Sequence, residues 1–118
     1  MPLSGNRAMT SFVIKLAAGT LPNPDLDLRY EIPDLLKDRS NGKIQSDGYD
    51  YGLADPSNLY LFLKTDDPEY AIACITRVMD GETVLENRLA ENVVVAMQQG
   101  ESFTVVYPTN YAGEFKIE

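Results

Sequence analysis

Three aspartates and two tyrosines fall within nine residues, Asp47-Gly48-Tyr49-Asp50-Tyr51-Gly52-Leu53-Ala54-Asp55. Clustered carboxylates steer a basic partner and pair bidentately with arginine, while a tyrosine buries a large ring at low entropic cost and keeps a hydroxyl for hydrogen bonding. The stretch therefore reads as an acidic docking site for a basic protein, with Asp47, Asp50 and Asp55 as the charged groups and Tyr49 and Tyr51 as the anchors. The same residues also suit an edge hairpin in which the tyrosines pack on a core face and the aspartates occupy turns, where they bond their own backbone. Tyr30, Tyr107 and Tyr111 either extend an aromatic surface or line the core.

Other chemistry finds little support. Asn23, Asp25 and Asp27 have the alternate spacing of the first three ligands of a calcium loop. The match then fails: Leu28 stands where glycine is needed, Asp34 where a bidentate glutamate is usual, and Pro24 and Pro33 interrupt, which leaves an ordinary acidic loop. Asp50 with Asp66, Asp67 or Glu69 offers a carboxylate pair for hydrolysis, but nothing in their spacing sets the separation such a reaction requires. The chain has no histidine, which excludes histidine triads, histidine general bases, zinc-binding His-Glu motifs and the facial triad of non-haem iron. Its glycines form neither a phosphate-cradling loop nor a nucleophile elbow. No enzymatic activity, metal or cofactor is expected.

Ten basic and eighteen acidic residues give a net charge of -8. Residues 1–44 hold six Lys/Arg and five Asp/Glu, whereas residues 45–118 hold four and thirteen. This field repels phosphate backbones and anionic lipid, so neither nucleic acid nor membrane is an expected partner; net negative charge also simply keeps a small domain in solution. The single cysteine, Cys74, cannot form an internal disulfide and fits a reducing, cytoplasmic compartment. Within its helical pattern it reads as a small buried hydrophobe. The apolar run from Phe12 is cut by Lys15 and is too short for a signal peptide or a membrane span.

The elements that must position these groups follow from periodicity and punctuation. Residues 1–8, ahead of Met9, read as an extension or tag remnant, and 9–118 as a single α+β domain. Phe12 to Ala18 predicts a first strand closed by Gly19. Ile32 to Arg39 predicts a short helix opened by Pro33 and stopped by Asn41-Gly42. Tyr49 to Leu53 and Leu59 to Lys64 flank an Asp55-Pro56-Ser57-Asn58 turn and predict a hairpin. Asp66 or Asp67 as cap, Pro68 as opener and the stripe Ala71, Ile72, Ile75, Val78, Met79 predict a helix ending at Gly81. Thr83 to Leu89 predicts another strand. Asn92 to Gln99 is ambiguous: Leu85, Leu89, Val93 and Met97 repeat every four residues as in a helix, while Val93-Val94-Val95 prefers a strand. A strand is the reading adopted, because Gly100-Glu101-Ser102 leads directly into Phe103 to Tyr107 and the two then form a second hairpin, with Phe115 to Ile117 as an added edge strand. The resulting fold class is α+β: an antiparallel or mixed sheet of five to six strands with two helices on one face, in ferredoxin-like order over the first half.

Small size, strong acidity and a Tyr/Asp-rich hairpin over 47–55 give the chain a resemblance to the immunity proteins that bacteria make against their own basic toxins. The resemblance implies non-enzymatic occlusion: Asp47, Asp50 and Asp55 meet a basic, toxin-like cleft, and Tyr49 and Tyr51 sit at the centre. Two other classes stay open. One is a small-molecule or cation-binding domain with a pocket between the sheet and the Ile32–Arg39 helix. The other is a homo-dimer formed through an unpaired edge of the Val93–Tyr107 hairpin.

Overall fold

A computed structural model describes residues 9–17, 27–52, 58–84, 87–90, 92–108, 111 and 115. The elements run β1 (Thr10–Ala17), α1 (Leu28–Arg39), β2 (Gln45–Tyr51), β3 (Asn58–Thr65), α2 (Pro68–Gly81), β4 (Thr83–Val84), β5 (Asn87–Arg88), β6 (Val93–Gln99) and β7 (Ser102–Tyr107). The protein is α+β, with a five-stranded sheet in the order β2-β3-β1-β6-β7 and a separate β4-β5 ribbon. Every neighbouring pair in the main sheet is antiparallel. Strands β1 and β2 thus run parallel with β3 between them, and β3 and β6 run parallel with β1 between them. These are two interlocked split β-α-β units, so the ferredoxin-like order expected for the first half continues through β6, and β7 is added at the edge. Among the described residues no helix is long and apolar enough to cross a membrane.

Both helices cover one face. Phe12, Ile14 and Leu16 of β1, Leu59, Leu61 and Leu63 of β3, and Val93 and Val95 of β6 meet Leu28, Ile32 and Leu36 of α1 and Ala71, Cys74, Ile75, Val78 and Met79 of α2. Burying each of these larger side chains is worth about 1.5–3 kcal/mol. The opposite face is apolar as well: Val13, Tyr60 and Ala96 pack with Phe115, and half-buried Phe62, Val94, Phe103 and Val105 surround them. Two-sided burial explains why Val93-Val94-Val95 forms a strand although its wider spacing also fits a helix.

Several expectations shift. Helix α1 begins at Leu28, so Pro33 lies inside it and does not open it. Pro33 has no N–H to offer the Arg29 carbonyl. The helix nevertheless extends upstream because Leu28, Ile32 and Leu36, four residues apart, are all buried on the sheet. Thr83 to Leu89 is not one strand of the main sheet: Thr83 pairs with Arg88 and Val84 with Asn87 in the small ribbon. That fold-back lets Val84 and Leu89 both enter the helix-side core. Where α1 faces the sheet, Ile32 and Leu36 have no exposed surface. Helix α2 matches its expectation, with Asp67 accepting from the Tyr70 N–H at 3.3 Å and Pro68 in the first turn. Of the strand expected over 115–117, only Phe115 is described; it is buried with its ring 5.3 Å from that of Phe103.

Tyr107 fastens β7 to α2. Its hydroxyl donates to the Asp80 carboxylate at 2.8 Å, and burial, then that hydrogen bond, push the phenol up to about 12. An unfolded tyrosine titrates near 10, so the folded state holds this proton more tightly. The resulting stabilisation is complete below pH 10 and is lost as pH rises from 10 to 12. Tyr107→Phe is expected to lower neutral-pH stability by about 1 kcal/mol and to flatten the decline between pH 10 and 12, as measured by denaturant unfolding at stepped pH.

Candidate functional site

The Tyr/Asp stretch lies on β2, an outer strand of the sheet in which every residue is exposed. Its register against β3 sets Tyr49 opposite Leu61 and Tyr51 opposite Leu59, with an irregularity between Ser46 and Tyr49. Gly48, at φ +102, occupies that irregularity, in a backbone region that other residues rarely adopt. Leu59 and Leu61 face the helices, so Tyr49 and Tyr51 project to the helix side. Asp50 lies opposite Tyr60 and projects to the other.

On the helix side the two tyrosines meet the first turn of α1. Tyr30 stands edge-on to Tyr49 at 6.1 Å between ring centroids, and Tyr49 edge-on to Tyr51 at 6.0 Å. Arg29 lies over this group, its guanidinium carbon 4.7 Å from the Tyr30 centroid and 5.4 Å from that of Tyr49. One of its NH1 protons goes to the Tyr51 hydroxyl at 3.3 Å. Edge-to-face rings and a stacked guanidinium each add attraction beyond simple burial. Tyr30, Tyr49 and Tyr51 nevertheless remain 50%, 40% and 37% exposed. The result is a braced aromatic surface, intermediate between a free docking patch and a core face.

The carboxylates lie apart from it. Asp50 accepts from the Tyr51 backbone N–H at 2.9 Å, which is the local bonding aspartate favours. Asp47 is 4.0 Å from the Lys64 ammonium, both side chains being exposed, a pairing of little energetic weight. Asp55 lies outside the described residues, as do Asn23 and Asp25 of the calcium-like spacing. The structure therefore gathers Tyr49 and Tyr51 but sets Asp47 and Asp50 apart from them across the strand. Of the other tyrosines, Tyr30 extends the surface, Tyr107 is buried, and Tyr111 is exposed elsewhere.

Reading the chain missed Arg29. The available signal was the burial stripe Leu28, Ile32, Leu36, which starts the helix early enough to place residues 29 and 30 beside β2. The connection back to β2 is held by Ser40, which is fully buried. Its hydroxyl accepts from the Ile44 N–H at 2.9 Å and donates to the Lys37 carbonyl at 3.2 Å. At Asn41 and Gly42 the chain turns through positive φ. Arg39 reaches Glu82 at 3.0 Å and Asp38 at 2.9 Å, linking the end of α1 to the end of α2.

Hydrogen bonding within the cluster shifts two of its phenols in opposite directions. Hydrogen bonding to Arg29, then to Tyr49, holds the Tyr30 phenol below its ordinary range. Hydrogen bonding to Tyr30 keeps Tyr49 above it. Among the described residues no group of three or more His, Cys, Asp or Glu is arranged to hold a metal. Two shallow concavities, of about 420 Å³ beside Asp34, Lys37, Asp38, Asn41 and Gly42 and about 290 Å³ beside Met9, Thr10, Ser11, Gln98 and Gly100, lie away from the tyrosines. No protein-family model, curated protein or solved structure matches the chain.

Ser40→Ala is expected to destabilise the protein by about 1–3 kcal/mol, the cost of leaving the buried Ile44 N–H without its acceptor, read by thermal and denaturant unfolding. In a tyrosine ring-carbon NMR titration, Tyr30 is expected to ionise before Tyr49, and Arg29→Gln to return Tyr30 toward the ordinary phenol value. An unchanged Tyr30 titration in that variant contradicts the role given to Arg29.

Proposed function

We propose that this is a non-enzymatic binding protein of the cytoplasm that docks a basic partner protein through the β2 edge and the start of α1, in the manner of an immunity-type inhibitor. The observation that carries this reading is the exposure of Tyr30, Tyr49 and Tyr51 while their rings are held by one another and by Arg29. Exposed aromatic area that is already ordered loses little entropy on association, the condition under which such residues become binding anchors.

The carboxylates act at longer range. Asp47 and Asp50 lie on the far side of the strand from the tyrosines, so a partner reaching around the edge meets rings on one side and acids on the other. Their charge, with the net -8 of the chain, speeds encounter with a basic surface and disfavours acidic competitors. Occlusion of the partner's basic cleft is then the mechanism, and no bond is made or broken.

Affinity capture from native host lysate at two salt concentrations, read by mass spectrometry, tests this. A basic partner is expected, with recovery falling as salt rises. Replacing Asp47, Asp50 and Asp55 together by lysine is expected to reduce its recovery at least tenfold without altering the unfolding midpoint by more than a few degrees, and Tyr49→Ala to reduce it comparably. Equal recovery with the triple variant overturns the role of the acids.

A further inference from the structure

Arg29 is chemically incomplete. Its neighbours are three phenols: the rings of Tyr30 and Tyr49 under the guanidinium, the Tyr30 hydroxyl as a hydrogen-bond acceptor, and the Tyr51 hydroxyl at a long 3.3 Å from NH1. Its Nε–H is buried and has no hydrogen-bond partner among the described residues. The ion pairs among the described residues use Arg39 with Asp38 and Glu82, and Lys64 with Asp47; none engages Arg29. In a chain of net charge -8, a half-buried arginine served only by neutral oxygens is out of place. It also stands in the first turn of α1, where the helix dipole already disfavours a cation and favours an anion.

The geometry selects the missing group. A guanidinium is a flat fork of N–H donors that matches the two oxygens of a carboxylate. Tyrosyl hydroxyls at its margin are donors as well. The stacked rings hold the fork in place, so a ligand need not order it. We propose that Arg29, framed by Tyr30, Tyr49 and Tyr51, is a carboxylate-binding site, and that the protein docking on this surface presents an acidic group to it.

The biological half of this assignment rests on the docking reading above; the chemical half does not. A single carboxylate on an otherwise basic partner is repelled by Asp47 and Asp50 and accepted at Arg29. That combination fixes the register of docking, because a displaced partner leaves its carboxylate facing aspartates.

The test uses the isolated protein. Arginine Nε–H and tyrosine ring resonances are followed by NMR while sodium acetate is added, against sodium chloride at matched ionic strength. A saturable shift of the Arg29 Nε–H and of the Tyr30, Tyr49 and Tyr51 rings is expected with acetate, at a concentration at least tenfold below any response to chloride. Arg29→Lys is expected to weaken the ring response at least tenfold and Arg29→Gln to abolish it, with β1 and β3 amide resonances unmoved. N-acetylglycine and the α-amide of N-acetylglutamate, titrated the same way, distinguish a chain-terminal carboxylate from a side-chain one by which saturates first. Responses of equal size to chloride, or an acetate response retained in Arg29→Gln, overturn the site; inorganic phosphate saturating tenfold below acetate overturns the carboxylate assignment. The wild-type comparison of acetate with chloride stands even if a variant fails to fold. Because no partner is present, a negative titration leaves the Asp47/Asp50/Asp55 charge-reversal result untouched, and the converse holds.

Discussion

Strand β1 is hydrogen-bonded along both edges, to β3 and to β6, and the positions of the other elements depend on that double pairing. Its residues face apolar surroundings on both sides: Phe12, Ile14 and Leu16 under the helices, Val13 against the second cluster. A one-residue slip on either edge would exchange these sets and drive Lys15 into the helix-side core. The register is therefore tightly specified, and β3, fixed by it, transmits the same alternation to β2. The side of the sheet on which Tyr49 and Tyr51 emerge is decided two strands away, by the burial of Leu59 and Leu61.

The exposed tyrosines follow from where the helical cover begins. Helix α1 lies over β2 and β3 and starts with Leu28 buried, so its first turn sits beside the outermost strand of the sheet, with no further strand beyond it among the described residues. Arg29 and Tyr30 occupy that margin. Stacking of the guanidinium and edge-to-face packing of the rings supply order there without supplying burial. The outcome is an ordered, solvent-facing surface in a place where a continuing sheet would have produced core.

The two outer strands are defended differently. Strand β2 carries Asp47 and Asp50 and a positive-φ glycine at its irregularity, devices that oppose addition of another strand. These two carboxylates thus keep β2 from pairing indiscriminately. Strand β7, Ser102–Tyr107, has no charged residue; it is held instead by the Tyr107 bond to Asp80 and by Phe103 against Phe115. Charge protects one edge, and packing holds the other.

Local patterns in the chain were enough to determine helix α2, the β6-β7 hairpin, the pairing of β2 with β3 and the α+β class, although β2 begins at Gln45 and not at the expected Tyr49. Capping residues, turn residues and spacing act over a few positions and mostly point the same way; over 92–99 the four-residue spacing fits a helix, and the Gly100 turn into the β-rich segment after it selects the strand. They failed where tertiary burial outweighs a local signal: Pro33 reads as a helix start, but Leu28 buried against the sheet moves that start upstream, and the core's hold on Val84 and Leu89 folds an expected strand into a ribbon. The candidate site divides along the same line. Asp47, Tyr49, Asp50 and Tyr51 were legible because residue type alone marks them. Their separation onto two faces, and the arrival of Arg29 and Tyr30 beside the tyrosines, depend on strand register and helix placement between residues some twenty positions apart, which only the folded chain decides.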